Sequence, residues 1–232
     1  MSLHHQIRQY LLDQAQMHGW LAHAKIPSER ELQTKFHASR ITIRDGLTKL
    51  ESQGFIYRVN RKGWFISPPR LLWDPCHRVN FYQQARDQGM QPETEVVSVN
   101  PLYDAPLIRH QFGMDYGNNL ELLRLRRLDG RPVMVERIYL RQTDFPGLAQ
   151  QPLDGSITEL FANKYQVQIN HESSHILVCG TQSEEAALLG IPEGTACLHI
   201  ERKRYDANDR LVDYNLEYWR QDALELKVSS RK

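Results

Sequence analysis

Residues 27–66 read PSERELQTKFHASRITIRDGLTKLESQGFIYRVNRKGWFI, and the punctuation of this stretch decides the fold of the first part of the chain. The Ser28 hydroxyl can accept from the N–H three residues on, and Glu31 can answer the N–H of Ser28. That capping box predicts a helix reaching about Phe36, with Leu32 and Phe36 on one face. After His37-Ala38, Ser39 caps a further helix whose buried stripe is Ile43, Leu47 and Leu50 and whose end is Gly54, a natural C′ residue. The runs on either side of Asn60-Arg61-Lys62-Gly63 are rich in β-branched and aromatic residues and predict a two-stranded hairpin over 55–66. Upstream, Leu3, Ile7, Tyr10, Leu11, Gln14 and Met17 keep helical spacing over 4–18. Three helices followed by a basic hairpin outline a winged helix-turn-helix over residues 1–68.

The exposed side of the third helix points to a polyanion. Arg40 and Arg44 stand one turn apart with Thr42 between them, all in the first two turns. A recognition helix places such residues against base edges in the major groove, where arginine bonds guanine bidentately and Thr42 can meet a thymine methyl or a phosphate. Arg30, in the first turn of the second helix, suits a phosphate contact. Arg58, Arg61 and Lys62 load the hairpin with positive charge. The partner these residues imply is double-stranded DNA.

Charge follows the same division. The 232 residues balance to a net +1. Residues 1–70 hold eleven Lys/Arg against five Asp/Glu, whereas the remainder holds eighteen against twenty-three. A basic module that meets a polyanion is thus joined to an acidic-leaning module with another task. Hydrophobic residues at 41% and charged residues at 25% are ordinary for a globular protein and argue against a disordered or fibrous chain. No apolar run approaches the roughly 18–20 residues of a membrane span, and the N-terminus lacks a signal-peptide core, so no membrane association is expected. Cys76, Cys179 and Cys197 are far apart in sequence and odd in number. They make neither a disulfide framework nor a C-x-x-C metal site, and a cytoplasmic location follows.

Ser67-Pro68-Pro69 and Trp73-Asp74-Pro75 mark a joint. Proline lacks the N–H that a sheet ladder needs and biases the preceding residue to extended geometry, so residues 69–77 read as a linker. Beyond it, alternating patterns suit strands at 95–101, 120–127, 133–141, 166–179, 195–205 and 211–219. Helical patterns fit 79–88, 157–164 and 183–189. Asp129-Gly130 between two strands is a hairpin signal. The expected domain over 78–232 is α+β with a largely antiparallel sheet. It has no glycine-rich phosphate loop, so nucleotide hydrolysis is not expected.

Arg124 and Arg126 face one side of a strand and repel one another unless a carboxylate or a ligand anion lies between them. Salt bridging to Glu121, Glu136 or another acid is the bland reading. The functional reading adds Ser156 and Thr158, which open a helix whose first N–H groups favour an anion. His171 and His175 are about 13 Å apart on a strand, too far for one metal ion. Ser173, Ser174 and His175 lack a nucleophile elbow. Neither metal, cofactor nor catalysis is expected.

The residues resemble a known family. Pro27-Ser28-Glu29-Arg30-Glu31-Leu32, Ser39-Arg40-x-Thr42-Ile43-Arg44 and Leu50-Glu51-x-x-Gly54-Phe55-Ile56-x-Arg58 are similar to the DNA-binding domain of GntR-type bacterial transcription regulators. The resemblance implies that Arg30, Ser39, Arg40, Thr42 and Arg44 face DNA. It also implies that Arg58, Arg61, Lys62 and Gly63 form a wing whose glycine approaches the minor groove. The family usually has Gly-x-Gly-Thr in the wing, where this chain has Arg61-Lys62-Gly63-Trp64.

The second part resembles the HutC-type effector domain, the UTRA domain, which has a chorismate-lyase-like fold. The similarity rests on Leu123-Arg124-Leu125-Arg126, Asp129-Gly130-Arg131-Pro132-Val133, Val135-Glu136-x-x-Tyr139-Leu140, Phe145-Pro146-Gly147-Leu148, Ala186-x-Leu188-Leu189-Gly190-Ile191-Pro192 and Arg204-Tyr205-Asp206. More narrowly, residues 64–75 look like phosphonate-utilisation regulators of this subfamily. The resemblance implies an effector pocket lined by Arg124, Arg126, Glu136, Tyr139, Ser156 and Thr158. Asp213 and Trp219 stand where the family tends to place an acid and a tyrosine. Glu136 or Asp213 could pair with a ligand amine, which suits an aminoalkylphosphonate. The implied protein is a homodimeric repressor of palindromic operator DNA, dimerised through its second domain and modulated by a small anionic metabolite. The rival reading is a small-molecule-transforming α+β enzyme with an accessory nucleic-acid-binding domain. A regulator retards duplex DNA in a salt-sensitive manner, and an enzyme turns its ligand over.

Overall fold

The computed structural model describes residues 2–77, 80–102, 106–112 and 119–229, with only the backbone of Pro106, Leu107 and Arg109. It divides into two compact units, Met1–Arg70 and Leu71–Lys232. No helix among the described residues is long and apolar enough to cross a membrane.

The first unit holds α1 (Leu3–His18), α2 (Glu29–Phe36), α3 (Arg40–Ser52) and the antiparallel pair β1 (Ile56–Val59) and β2 (Gly63–Ile66). Both halves of the capping box form. The Glu31 N–H donates to Ser28 Oγ at 3.3 Å, and the Ser28 N–H donates to Glu31 Oε2 at 2.7 Å. The end of α3 is a Schellman motif: Gly54 N–H reaches Glu51 O at 2.8 Å and Phe55 N–H reaches Leu50 O at 3.0 Å. Gly54 takes φ +73° there, the left-handed geometry that favours glycine. Ile7, Leu11, Leu32, Ile43, Leu47, Leu50 and Ile56 form the core. Trp64, expected in the wing where the family carries a small residue, belongs to this core at 4% exposure. A feature absent from the pattern reading is a third strand-like segment beside the hairpin. Ile26 N–H donates to Trp64 O at 3.0 Å and Ile66 N–H donates to Ala24 O at 2.9 Å.

The second unit is built on six strands: β4 (Pro92–Leu102), β5 (Asn119–Leu128), β6 (Arg131–Arg141), β7 (His171–Gly180), β8 (Ala196–Tyr205) and β9 (Leu211–Arg220). They lie in the order β4-β5-β6-β9-β8-β7, every pair antiparallel. Asp129 and Gly130, with φ +52° and +74°, turn β5 into β6. The 3-10 turns 142–144 and 148–150 follow β6, and α6 (Ile157–Tyr165) packs Ile157 and Phe161 against Leu120, Leu122, Ile138 and Leu140. On the opposite face, α7 (Ser183–Leu189) sets Leu189 against Leu123, Leu125 and Val135.

Several boundaries differ from the expectation. Within the stretch read as a linker, Leu71–Trp73 is a strand, β3, parallel to β10 (Leu224–Leu226). Leu71 and Trp73 are buried in the core of the second unit. The prolines on either side suggested a linker, but the alternation of Leu71-Leu72-Trp73 is that of a strand with one face covered. Of the helix expected at 79–88, α4 (Phe81–Asp87) forms with Asn80 as its cap, and Val79 lies outside the described residues. The strand expected from Gln166 begins at His171, because Gln166 ends α6 with φ +57°. A helix at Pro106–Phe112, α5, was not anticipated. Cys179 and Cys197, distant in sequence, are register partners in β7 and β8 with their sulfurs 3.6 Å apart, both free thiols.

Candidate functional site

Two surfaces collect the residues singled out from the sequence, one in each unit. In the first unit, Arg30, Arg40, Arg44, Arg58, Arg61, Lys62 and Gly63 line one hollow between α2, the start of α3 and the hairpin. Glu29 sits among them. Arg44 donates to it through Nη2 at 2.9 Å and Nε at 3.3 Å, Arg40 through Nε at 3.3 Å, and Trp64 through Nε1 at 3.4 Å. The hydrogen bond from Arg44 is the main reason the Glu29 carboxyl is held below its ordinary range. Ser39 does not line the hollow. Its hydroxyl accepts from Thr42 N–H at 3.2 Å and lies 2.8 Å from Thr42 Oγ1, so both side chains are engaged at the helix cap. Ile41, missed in the sequence, is 75% exposed on the first turn of α3. Its signal was an apolar residue off the buried 43-47-50 stripe.

In the second unit, even-numbered residues of β5, β6 and β8 and odd-numbered residues of β9 share one face of the sheet. Its lower half is apolar and covered by α6. Its upper half carries Arg124, Arg126, Glu136, Arg202, Arg204, Glu217 and Trp219 and floors a cavity of about 350 Å3, which Ser156, Thr158, Phe81 and Glu172 help to close. One carboxylate serves the first arginine pair. Glu136 Oε2 accepts from Arg124 Nε and Nη2 at 2.9 and 2.5 Å and from Arg126 Nε and Nη2 at 3.1 and 2.9 Å. Arg124 spends its remaining nitrogen on Leu153 O at 3.1 Å and Gly155 O at 2.9 Å, the turn that leads into α6. Arg126 Nη1 has no hydrogen-bond partner among the described residues, and its guanidinium stands 4.7 Å from the Phe81 ring centre.

The electrostatics follow from this crowding. Burial, then the like charge of Arg126, lowers Arg124 to about 10. Burial works to raise the Glu136 carboxyl, but the two guanidinium charges outweigh it and hold Glu136 well below the ordinary carboxylate range. Arg202 and Arg204 form a second i, i+2 pair that sequence reading overlooked although its spacing is that of Arg124 and Arg126. Arg202 is 3.0 Å from both Glu172 and Glu217, and Arg204 reaches Asp213 at 2.6 and 2.8 Å.

Two expected pocket residues do not line the cavity. Tyr139 is three residues from Glu136 and therefore on the other face of β6, where it stacks on Tyr214 at 6.1 Å. Asp213 is fully buried, held by Arg204 and by Asn215 Nδ2 at 2.7 Å, so it orients a lining arginine without reaching the cavity. Asp213 is thereby held away from any ligand amine, whereas Glu136 lines the cavity and gives only Oε2 to the two guanidinium groups.

Residues 3–66 match the profile of bacterial regulatory proteins of the gntR family, and residues 87–225 match the UTRA domain. The chain belongs to the GntR family of regulators, with a UTRA domain. Over 213 residues, 88% of each chain, this GntR-type regulator is 29% identical to the uncharacterized HTH-type transcriptional regulator YihL of Escherichia coli. It is 23% identical to the HTH-type transcriptional repressor NagR of Bacillus subtilis over 85% of this chain and 82% of that one. Its fold is similar to the crystal structure of PhnF from Mycobacterium smegmatis, with a TM-score of 0.68, 23% identity and coverage of 96% and 98%. Both sequence relatives carry the names of HTH-type transcriptional regulators. The first unit is accordingly the family's DNA-binding domain, and the second is its effector-binding domain.

Proposed function

We propose that this GntR-type regulator acts in the cytoplasm as a homodimeric repressor of a palindromic operator and lets go when a small anionic metabolite enters the UTRA cavity. Arg40 and Arg44 read bases, Ile41 meets a thymine methyl, and Arg30, Arg58, Arg61 and Lys62 grip phosphates while Gly63 lets the wing approach the minor groove. In the cavity, the observation that carries the reading is Arg126, whose Nη1 has no hydrogen-bond partner among the described residues and which shares the Glu136 carboxylate with Arg124. A phosphoryl, phosphonate or carboxylate oxygen completes that guanidinium, with the hydroxyls of Ser156 and Thr158 within the same cavity.

The test is a thermal-shift panel of phosphate monoesters, phosphonates and carboxylates against wild type and Arg126→Ala. At least one class should stabilise wild type by about RT ln(1 + [L]/Kd) and leave Arg126→Ala unmoved. Equal shifts in both proteins remove the anion site. Failure of wild type to retard any member of a randomised duplex library at low salt removes the DNA reading.

A further inference from the structure

Cys179, at the end of β7, and Cys197, at the start of β8, are directly opposed in the antiparallel register. Opposed residues of such a pair have Cα atoms about 4.5–5.5 Å apart, within the roughly 4.4–6.8 Å that disulfides span. The sulfurs are 3.6 Å apart, so side-chain rotation alone brings them to a bond of about 2.05 Å while the backbone stays in place. Cys197 is odd-numbered in β8, so the pair lies on the sheet face opposite Arg202 and Arg204. The two thiols differ in access. Cys179 is half-buried, and Cys197 is 1% exposed. Burial first, then the Cys179 sulfur and the Glu185 carboxylate, push the Cys197 thiol up to about 12. Cys197 is therefore protonated and shielded, which leaves Cys179 as the sulfur an oxidant meets. Between the two cysteines the chain leaves the sheet over residues 181–195 and carries α7. The base of this excursion is closed by Thr181 N–H to Thr195 O at 2.9 Å and Gly194 N–H to Thr181 O at 2.8 Å. Its helix delivers Glu184 and Glu185 to Arg137 of β6.

We propose that Cys179 and Cys197 are a reversible dithiol–disulfide site, oxidised by a small disulfide of the glutathione class, and that the bond locks the α7 excursion onto the sheet. The Cys179 thiolate attacks one sulfur of the small disulfide. A bond forms between Cys179 and one half of that molecule, and the other half leaves as a thiolate that takes up the proton Cys179 lost. Cys197 then gives up its proton and displaces the first half from Cys179 Sγ, and the departing thiolate is protonated in turn. The two protein thiols lose two electrons and two protons, and the small disulfide becomes two thiols. A disulfide in a reducing compartment is typically transient and redox-responsive, which fits a pair held ready as free thiols. Closing the loop between the two strands restricts the unfolded chain and ties down both ends of the α7 excursion. The site needs neither DNA nor the anion of the cavity, so it stands or falls apart from both.

The test is equilibration of the full chain with oxidised glutathione, followed by intact-mass and peptide mass spectrometry. The exposed Cys76 is first replaced, Cys76→Ser, so that only the pair can react. This chain should lose two hydrogen atoms, yield a linked peptide containing Cys179 and Cys197, and return to the dithiol with dithiothreitol. Amide hydrogen exchange over residues 181–195 should slow in the oxidised form, and Tm should rise by about 5–10 °C. Two further variants in the same background test the order of attack. Cys197→Ser should hold one glutathione on Cys179, because no second thiol displaces it. Cys179→Ser should leave Cys197 a free thiol, because the oxidant does not reach it. No disulfide at any glutathione ratio, a disulfide that joins two chains, or unchanged exchange over 181–195 in the oxidised form overturns the proposal. A glutathione adduct on Cys197 in the folded Cys179→Ser chain overturns the assigned order of attack.

Discussion

Arg124 and Arg126 are neighbours in motif and surroundings, yet the structure gives them different work. Arg124 is 1% exposed, and every nitrogen of its guanidinium donates to Glu136 or to the carbonyls of Leu153 and Gly155. Arg124→Ala leaves a buried carboxylate with half its compensation and two carbonyls without a donor. It should cost about 3–5 kcal/mol and lower Tm by about 6–20 °C, measured by calorimetry. Arg126→Ala leaves Glu136 paired and should cost less while losing the ligand. Sequence alone treats the two alike, because the Leu153–Gly155 carbonyls come from a turn that no local pattern ties to β5. Glu29 poses a related case in the first unit, an acid placed among the bases expected to meet DNA. Its bonds to Arg44 and Arg40 hold both side chains, and on the proposed reading they compete with DNA for them. Glu29→Gln should raise affinity for random duplex by about fivefold at most, the small effect typical of an exposed pair, while affinity for a library-selected duplex falls. Fluorescence anisotropy on both duplexes measures the ratio. An unchanged ratio would mean that Glu29 does not direct these arginines.

Elements were legible where their signals are local. The capping box at Ser28 and Glu31, the glycine end of α3 and the Asp129-Gly130 turn each depend on residues within one turn of chain, and each forms. What escaped needs distant partners: the parallel β3–β10 pair, the segment 24–26 beside the hairpin, and the engagement of Asp213 by Arg204. Tyr139 and the Arg202/Arg204 pair are different. Strand parity alone places Tyr139 opposite Glu136 and the two arginines together, so period-2 counting would have found both. The wing shows how an element's chemistry can be read once its geometry is known. With Trp64 drawn into the core, the hairpin turn is left to exposed Arg61 and Lys62. If both neutralise phosphates, Arg61→Ala and Lys62→Ala should each weaken binding to all duplexes alike and each flatten the plot of log Kobs against log[salt] by about 0.9. A mutation that instead changes sequence preference would place that residue at a base edge.

At the scale of the whole molecule, a basic unit of residues 1–70 and an acidic-leaning remainder must exchange information for ligand to act on transcription. A metabolite moves DNA affinity only by binding the DNA-competent and DNA-incompetent states unequally. The coupling is reciprocal: a ligand that weakens operator binding by a factor α is itself bound α-fold more weakly when operator is present. Allosteric coupling is typically about 1–3 kcal/mol, so α should fall between about 5 and 150. Titrating an anion found in the thermal-shift panel by calorimetry, with and without saturating duplex, should return the same α as titrating duplex with and without the anion. Arg126→Ala should abolish α in both directions while leaving the ligand-free DNA affinity within about twofold, because the mutated side chain lies in the UTRA unit and its hydrogen bonds go to Glu136. An effector that enters the cavity with α equal to one would be a bound metabolite without regulatory consequence. The control of this regulator would then have to lie outside the arginine-floored cavity.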